Sequence, residues 1–304
     1  MINNVKQEIQ KVIVGQEELV NSMLIALLSE GHVLVEGVPG IAKTTAVNSL
    51  AKSLGFDFKR IQFTPDLLPS DITGSEILDL KHNDFKIKHG PIFTNLLLAD
   101  EINRAGAKVQ SALLEAMAEK QITIWDESYK LDSPFIVLAT QNPIEQSGTY
   151  KLPEAELDRF MMKSFVNYPT LEEEKEILTR LNSIENDHVE KVLSKKEILE
   201  IKELVEEIHV SENIIDYITD IIFETRKDNK YLSYWVSPRW SISLIKASKA
   251  VAFLNWRDFV LPEDVKEIAI SVLSHRLVLN YEAIAEEIKS EEIIKTILEN
   301  VKIK

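Results

Sequence analysis

The sequence predicts an α/β domain, with a mostly parallel sheet between helices, followed by an all-helical domain. From residue 32 to about 166, short β-rich apolar runs alternate with helical patterns, which is typical of a parallel sheet covered by helices. After residue 168, helical patterns follow one another to residue 304 with few strand signals. Because 304 residues suit two domains of ordinary size, we expect one domain over 1–168 and a second over 169–304.

Five apolar runs in the first part are the candidate strands of the sheet. Several lack the alternation of a half-exposed strand, as expected of strands buried on both faces. In chain order they read HVLVEG, FKRIQF, NLLLAD, FIVLAT and KSFV. Helical stretches such as TTAVNSLAKSL and KVQSALLEAMAEK lie between them. In the second stretch four apolar side chains fall on one face, namely Val109, Leu113, Ala116 and Met117.

Two hairpin-like insertions interrupt this alternation. In SEILDLKHNDFKIKHG two alternating runs flank residues 82–84, and in QITIWDESYKLD two more flank residues 126–128. Neither is needed to complete the sheet. Each is therefore either a functional projection or a decorative surface hairpin.

The composition excludes several classes of function. The formal net charge is −14, with 49 acidic against 35 basic residues, which argues against nucleic acid as the main partner. The chain has no cysteine, so disulfides, thiolate zinc sites and thiol nucleophiles are excluded. The N-terminal residues lack the apolar core of a signal peptide, and no segment approaches the roughly 20 apolar residues of a membrane span. We therefore expect a soluble cytoplasmic protein.

The stretch VLVEGVPGIAKTT nearly matches the phosphate-binding pattern G-x-x-x-x-G-K-[ST]. A glycine-rich turn between a buried strand and a helix directs backbone N–H groups and the helix dipole at an anion. Lys43 would reach the outer phosphates of a nucleotide, and the Thr44 hydroxyl would hold Mg²⁺. Ala42 replaces the last glycine, which costs roughly 1–2 kcal/mol if its backbone is left-handed and almost nothing if it is helical. The alternative is an ordinary Gly-Pro turn.

Polar side chains follow two further predicted strands. NLLLAD ends at Asp100, which would lie beside the Mg²⁺ of a nucleotide, and the following Glu101 would polarise a water molecule. Asn142 follows FIVLAT and could hold the attacking water or a phosphate oxygen. The alternatives are helix caps for the two acids and a turn-forming residue before Pro143 for Asn142.

Two arginines are candidates for contact with the terminal phosphate. Arg159 in LPEAELDRF either pairs with the acids before it or acts as an arginine finger on a neighbouring subunit. Arg239 is expected in the first turn of a helix, with Ser237 as N-cap and Pro238 as the first helical residue. A cation there is opposed by the helix dipole, so either a bound anion or a compensating Glu in the same domain is expected nearby.

With these residues in place, the chain resembles the MoxR family of AAA+ ATPases, of the helix-2-insert clade, over nearly its whole length. The matching stretches are VIVGQEE, VLVEGVPGIAKT, FTPDLLPSDITG, GPIFTNLLLADEINRA, QSALLEAMAE, ATQNP, LPEAELDRF and SPRW…PEDV…LSHRL. In this family the loop resembles GVPG-x-AKT, so the resemblance implies that Ala42 is a normal variant. It also implies the P-loop NTPase fold of the AAA+ core with a C-terminal helical lid.

The resemblance implies roles for particular positions. Lys43 and Thr44 match Walker A, Asp100 and Glu101 match Walker B, and Asn142 matches sensor 1. Arg159 matches the arginine finger, and Arg239 matches sensor 2, which reaches the phosphates from the lid. Mg²⁺ would be held by Thr44 and by Asp100, the latter directly or through water. The implied ATP- or ADP-contacting residues are Val14, Gly15, Gln16, Gly37, Val38, Pro39, Gly40, Ile41, Ala42, Lys43, Thr44, Thr45 and Asp100. Gln62 is a further candidate, for restraining Glu101 until a neighbour engages.

The biology that the resemblance implies is less specific. MoxR-type proteins look like chaperones that assemble or activate protein complexes, often with a partner that has a von Willebrand factor A domain. They generally form hexameric rings, in which the two hairpins would face the pore. Two alternatives stay open, namely a DNA-directed motor of the same clade and a nucleotide-gated scaffold without turnover. A conventional hydrolase or metalloenzyme has no support, because neither H-E-x-x-H nor G-x-S-x-G occurs.

Overall fold

The computed structural model describes all residues except 1, 39, 80, 143–148, 151, 182, 183, 185–187, 228, 229, 234–236 and 304. Its strands are β1 (Val33–Gly37), β2 (Phe58–Gln62), β3 (Gly74–Asp79), β4 (Asp84–His89), β5 (Leu96–Asp100), β6 (Gln121–Ile124), β7 (Glu127–Lys130), β8 (Ile136–Gln141) and β9 (Met162–Val166). The five predicted strands form one parallel sheet in the order β2-β5-β8-β1-β9. The carboxyl ends of β1, β5 and β8 therefore lie side by side, at the edge where ligands bind in such sheets.

Helices cover the sheet and form the whole second part of the described chain. Up to the last strand of the sheet they are α1 (Ile2–Val12), α2 (Glu17–Ser29), α3 (Lys43–Leu54), α4 (Pro69–Thr73), α5 (Ala107–Glu119) and α6 (Glu154–Leu157). After it they are α7 (Leu171–Thr179), α8 (Lys195–Glu207), α9 (Glu212–Glu224), α10 (Arg239–Leu254), α11 (Pro262–Leu273), α12 (Tyr281–Ala285) and α13 (Ser290–Asn300). The predicted fold class, a helix-flanked parallel sheet with a C-terminal helical lid, is confirmed.

Both predicted hairpins are present, with turns slightly different from those expected. In the first, Asp79 pairs with Asp84, so Asp84 belongs to β4 and not to the turn. In the second, the turn is Trp125 and Asp126, so two residues expected in the turn lie in β7. Trp125 has a φ of 55° and is 76% exposed, a conformation and an exposure that sequence rules do not predict for tryptophan.

One apolar cluster runs through both parts of the chain. It contains Ile9 and Leu24 from the first two helices, Leu138 from the sheet, and Ile201 and Leu244 from the helices after the sheet. Alternate residues of the same strands point to a second cluster, which packs the opposite face of the sheet against α5. The division into 1–168 and 169–304 stays a prediction, and the first cluster crosses it.

An ion cluster ties α2, the end of α5 and α8 together. Lys120 Nζ lies 2.5 Å from Glu30 Oε2, and the buried Lys202 contacts the other oxygen of the same carboxylate. Burial would raise the pKa of Glu30, but hydrogen bonds from Lys120 and Lys202 outweigh it and lower that pKa to about 2. Glu30 therefore compensates a buried lysine of the helical part.

No helix in the described part of the chain is both long and apolar enough to cross a membrane. The longest of the helices given above, α10, has 16 residues.

Candidate active site

The phosphate loop connects β1 to α3, as the sequence predicts. Gly40 has a φ of 83° and Ala42 a φ of 59°, so the loop reaches the helix through two left-handed residues. Ala42 is the N-cap residue of α3, and its conformation is the costly one of the two considered above, at roughly 1–2 kcal/mol for a residue with a Cβ atom. Pro39 lies outside the described residues.

Lys43 is the first residue of α3 and folds back onto the loop. Its Nζ donates to the Gly37 carbonyl at 3.0 Å. Partial burial lowers the pKa of Lys43, while Asp100 and Glu101 act in the opposite direction. Gly37 has little room for a side chain, because a Cβ there would lie 2.5 Å from the Val166 carbonyl. The ammonium thus lies at the loop, in the electrostatic field of the two carboxylates.

Asp100 ends β5 and is engaged on both carboxylate oxygens. Thr140 Oγ1 donates to Oδ1 at 2.6 Å, and Arg60 Nη2 donates to Oδ2 at 2.6 Å. Arg60 lies on the neighbouring strand β2, where it pairs with Leu98, two residues before the end of β5. Sequence reasoning missed both partners. The only signal for Arg60 is its position two residues before Gln62, which puts both on one face of the strand.

Glu101 is held by backbone and side-chain contacts. Its φ is 56°, and its N–H donates to Thr140 Oγ1 at 2.9 Å. Its Oε2 accepts from Gln62 Nε2 at 2.8 Å and lies 3.1 Å from Arg104 Nε. The contact expected between Gln62 and Glu101 is therefore present, and Arg104 is a second partner that the sequence did not reveal. That these contacts restrain Glu101 stays a prediction.

These side chains surround one cleft of about 270 Å³, which we call the phosphate cleft. Its lining residues come from the phosphate loop and from the ends of β2, β5 and β8. They are Gly40, Ile41, Ala42, Lys43, Thr44, Arg60, Gln62, Asp100, Glu101, Thr140 and Asn142. The fold thus brings the predicted loop, the two acids and Asn142 together, while their chemical roles stay predictions.

The other predicted nucleotide contacts lie outside this lining. Gln16 Nε2 donates to the Asn167 carbonyl at 3.3 Å, and a Cβ on Gly15 would lie 2.2 Å from Glu173 Oε1. The segment containing Val14 therefore lies against the junction between β9 and α7. Val38 packs partly buried on the main core, and Thr45 is exposed on α3.

Arg159 and Arg239 line a second cleft, of about 480 Å³, which we call the arginine cleft. Arg159 Nη1 donates to the Leu114 carbonyl at 3.1 Å. Arg239 Nη1 lies 3.6 Å from Asp158 Oδ2, in a contact formed by the residue before Arg159. No described residue lines both clefts. Arg239 thus lies at the arginine cleft in this structure, and its expected approach to the phosphates from the lid stays a prediction.

The position of Arg239 follows from how α10 begins. Trp240 is buried, and its Nε1 donates to Asp158 Oδ1 at 2.9 Å, which fixes the first turn beside Arg159. The helix starts at Arg239, one residue later than predicted, and Ser237 Oγ accepts the Arg239 N–H at 3.3 Å. The compensating carboxylate is thus Asp158, not a Glu of the helical part.

Comparisons with known proteins agree with this geometry. The family model described as "ATPase family associated with various cellular activities (AAA)" matches residues 32–162, and the AAA lid domain model matches residues 225–297. Chaperone MoxR1 of Mycobacterium tuberculosis is 46% identical over 302 residues, which cover 97% of this chain and 80% of that protein. Protein MoxR of Paracoccus denitrificans is 29% identical over 88% of this chain and 86% of its own length.

A crystal structure of a Cytophaga hutchinsonii protein has a TM-score of 0.94 and 50% identity, and the match covers 100% of this chain and 94% of that one. The phosphate loop and the two acids at the end of β5 lie within the range that the first family model matches, and the second model matches helices after the sheet. With nearly half of its residues identical to Chaperone MoxR1 along almost its whole length, the chain belongs to the MoxR family of AAA ATPases.

Proposed function

We propose that this ATPase binds and hydrolyses ATP with Mg²⁺ at the interfaces between subunits of a ring. The observation that carries the proposal is the separation of the phosphate cleft from the arginine cleft in one chain. During phosphoryl transfer, negative charge on the transferred group is stabilised by cations, in addition to the groups of the phosphate loop and the two acids. A second copy that presents its arginine cleft to the phosphate cleft of the first would supply them.

In the phosphate cleft, the backbone N–H groups of the loop and the N-terminus of α3 hold the phosphates. Lys43 exchanges the Gly37 carbonyl for a phosphate oxygen. Glu101 accepts the proton of the attacking water, which Asn142 helps to orient. The Thr44 hydroxyl and the Asp100 carboxylate fit Mg²⁺, which prefers oxygen ligands, and the bound ion would neutralise charge on the phosphates.

The contacts of the two acids set the conditions for activity. Gln62 and Arg104 both contact Oε2 of Glu101, so this oxygen has to leave these donors before it can accept a proton from water. Asp100 is paired with Arg60, so the metal competes with that guanidinium for one carboxylate oxygen. We propose that engagement of a neighbouring subunit releases Glu101, which would keep turnover low in an isolated subunit.

The arginine cleft supplies the opposite half of the site. Arg159 acts as the arginine finger on the γ-phosphate of the neighbour, and Arg239 approaches the same phosphate from its place beside Asp158. Both would therefore act between subunits. Arg239 is 72% exposed, and its 3.6 Å ion pair is long, so it can exchange the carboxylate for a phosphate at small cost.

We further propose that the protein is a chaperone that forms a hexameric ring in the cytoplasm. It would use ATP turnover to assemble or activate a protein complex. Support comes from the relative named Chaperone MoxR1. The two hairpins would face the pore, where nucleotide-driven movement of the lid reaches the client. A partner with a von Willebrand factor A domain is part of the same proposal, and nucleic acid is not, because the chain is strongly acidic.

Steady-state ATP turnover measured against protein concentration, with mass from light scattering, tests the proposal. We expect specific activity to rise as the assembly forms. Glu101→Gln should bind ATP and assemble but lose turnover by at least about a hundredfold. Glu299→Gln, the same change at an exposed position on α13, is the matched control and should stay active. Activity that does not depend on concentration, or that persists in Glu101→Gln, would refute the proposal.

A further inference from the structure

Arg60 contacts two residues of the phosphate cleft through one guanidinium group. It lies on β2, at the edge of the sheet. Its Nε and Nη2 both donate to Asp100 Oδ2, at 3.1 and 2.6 Å. The same Nη2 also donates to the side-chain oxygen of Gln62, Oε1, at 2.9 Å. One side chain therefore holds both the acid at the end of β5 and the amide at the end of β2.

The contact with Arg60 sets the orientation of the Gln62 amide. A side-chain amide has an oxygen that accepts hydrogen bonds and a nitrogen that donates them. Because Oε1 faces the guanidinium, Nε2 is directed at Glu101 Oε2, to which it donates at 2.8 Å. In the reversed amide, the NH₂ group would face the guanidinium and the oxygen would face the carboxylate, so both contacts would be repulsive. Arg60 thus favours the amide orientation in which Gln62 holds Glu101.

Arg60 also occupies a carboxylate oxygen that suits a metal ion. The other oxygen of Asp100, Oδ1, accepts from Thr140 Oγ1 at 2.6 Å. Mg²⁺ prefers oxygen ligands of this kind, so Oδ2 has to lose its guanidinium partner before it can serve as one. The side chain of Arg60 is 47% exposed and that of Asp100 is 16% exposed. Because ion pairs with such an exposed partner are weak, Arg60 can leave Asp100 at small cost.

We propose that Arg60 is a positioning residue that couples the two acids of the phosphate cleft, so that Asp100 and Glu101 are released together. A guanidinium that leaves Asp100 loses both hydrogen bonds to Oδ2 and no longer fixes the Gln62 amide, which can then turn away from Glu101. Coupling between two sites is reciprocal, so loss of the Gln62 contact also weakens the hold of Arg60 on Asp100. The inference rests on the proposed function, in which Asp100 binds Mg²⁺ and Glu101 activates water.

Binding of Mn²⁺ as a probe for Mg²⁺ tests the first half of this coupling. It is measured by electron paramagnetic resonance on dilute protein with a bound non-hydrolysable ATP analogue, and corrected for the analogue alone. Arg60→Met should tighten Mn²⁺ binding by about three- to tenfold, because the competing guanidinium is gone. Lys59→Met removes a charge from the exposed neighbouring residue, which points to the other face of β2, and is the matched control. It should change the affinity by less than about 1.5-fold.

Gln62→Leu tests the second half, because Gln62 is linked to Asp100 through Arg60. With Arg60 present, this change should tighten Mn²⁺ binding by about twofold or more, since the guanidinium loses an acceptor that holds it in place. In an Arg60→Met background the same change should have no effect on the affinity. A double-mutant cycle of this kind separates coupling through Arg60 from a direct effect of Gln62 on the metal site.

Three results would overturn the proposal. The first is an Mn²⁺ affinity in Arg60→Met that is equal to that of the wild type or of Lys59→Met. The second is an unchanged affinity in Gln62→Leu. The third is an equal effect of Gln62→Leu with and without Arg60. Failure of the proposed function would be seen separately, as turnover that does not depend on assembly, since the Mn²⁺ titration involves no turnover.

Discussion

Replacement of Ala42 by glycine should stabilise this protein, although glycine usually destabilises a helix. Ala42 caps α3 with a φ of 59°, where a Cβ atom costs roughly 1–2 kcal/mol. Glycine removes this cost but adds freedom to the unfolded chain, worth about 0.4–1 kcal/mol in the opposite direction. The net gain in the free energy of unfolding is therefore between about 0 and 1.6 kcal/mol, with a centre of about 0.8 kcal/mol. Ala42 is exposed, so the change opens no cavity.

Ala118→Gly is the matched control for this change. Ala118 is also exposed but lies in the right-handed last turn of α5, where glycine should cost about 0.5–1 kcal/mol. Urea unfolding at one pH and temperature should move the two midpoints in opposite directions, with an unchanged slope. If Ala42→Gly lowers the midpoint as Ala118→Gly does, the left-handed conformation of the loop or its assigned cost is wrong.

Three further predictions concern the ion cluster, the first hairpin and the restraint on Glu101. Because the pKa of Glu30 is depressed, its carboxylate contributes fully to the free energy of unfolding above about pH 4.5, and this contribution is lost as the pH falls towards 2. Partial exposure reduces the contribution to about 1–2 kcal/mol. Glu30→Gln should therefore flatten the acid dependence of stability in urea unfolding, and a pH curve equal to that of the wild type would contradict this prediction. Gly74→Ala should lower the free energy of unfolding by at least about 2 kcal/mol, because Gly74 has a φ of 97° and a Cβ would lie 2.2 Å from the Lys88 carbonyl. A thermal unfolding midpoint equal to that of the wild type would contradict this prediction. Gln62→Leu should raise the turnover of the unassembled subunit by about two- to tenfold, since one hydrogen bond to Glu101 is lost; an unchanged rate in dilute protein would remove Gln62 from the restraint.

Much of the α/β fold could be predicted because its physical signals are local. Strands buried on both faces are short apolar runs, and all five were recognisable with nearly the bounds observed. The turn of the second hairpin was placed too late, because rules for tight turns favour Asn, Asp and Gly over a residue such as Trp125. The contribution of α1 and α2 to a core shared with the helical part depends on packing between distant segments, which no local pattern shows.

The candidate site was predictable where its residues belong to a motif and not where they act through a contact. Lys43 and Asp100 follow from a loop and a strand end, whose positions at the edge of a parallel sheet are dictated by topology. Arg60 belongs to no motif. It became visible only through its contact with Asp100, at the end of the neighbouring strand. The placement of Arg239 depends in the same way on Trp240 packing beside Asp158.

The central claim is that one active site is built from two subunits, and mixing two inactive variants tests it most directly. Glu101→Gln keeps the arginine cleft intact, and Arg159→Ala keeps the phosphate cleft intact. If the halves combine between subunits, an equimolar mixture that has exchanged subunits should recover about one quarter of the wild-type ATP turnover, because random assembly completes that share of interfaces. The double variant, mixed in the same way with either single variant, should recover nothing. If the first mixture shows only the average of its two separately measured components, although light scattering shows mixed assemblies, the site is complete within one chain and the account is contradicted.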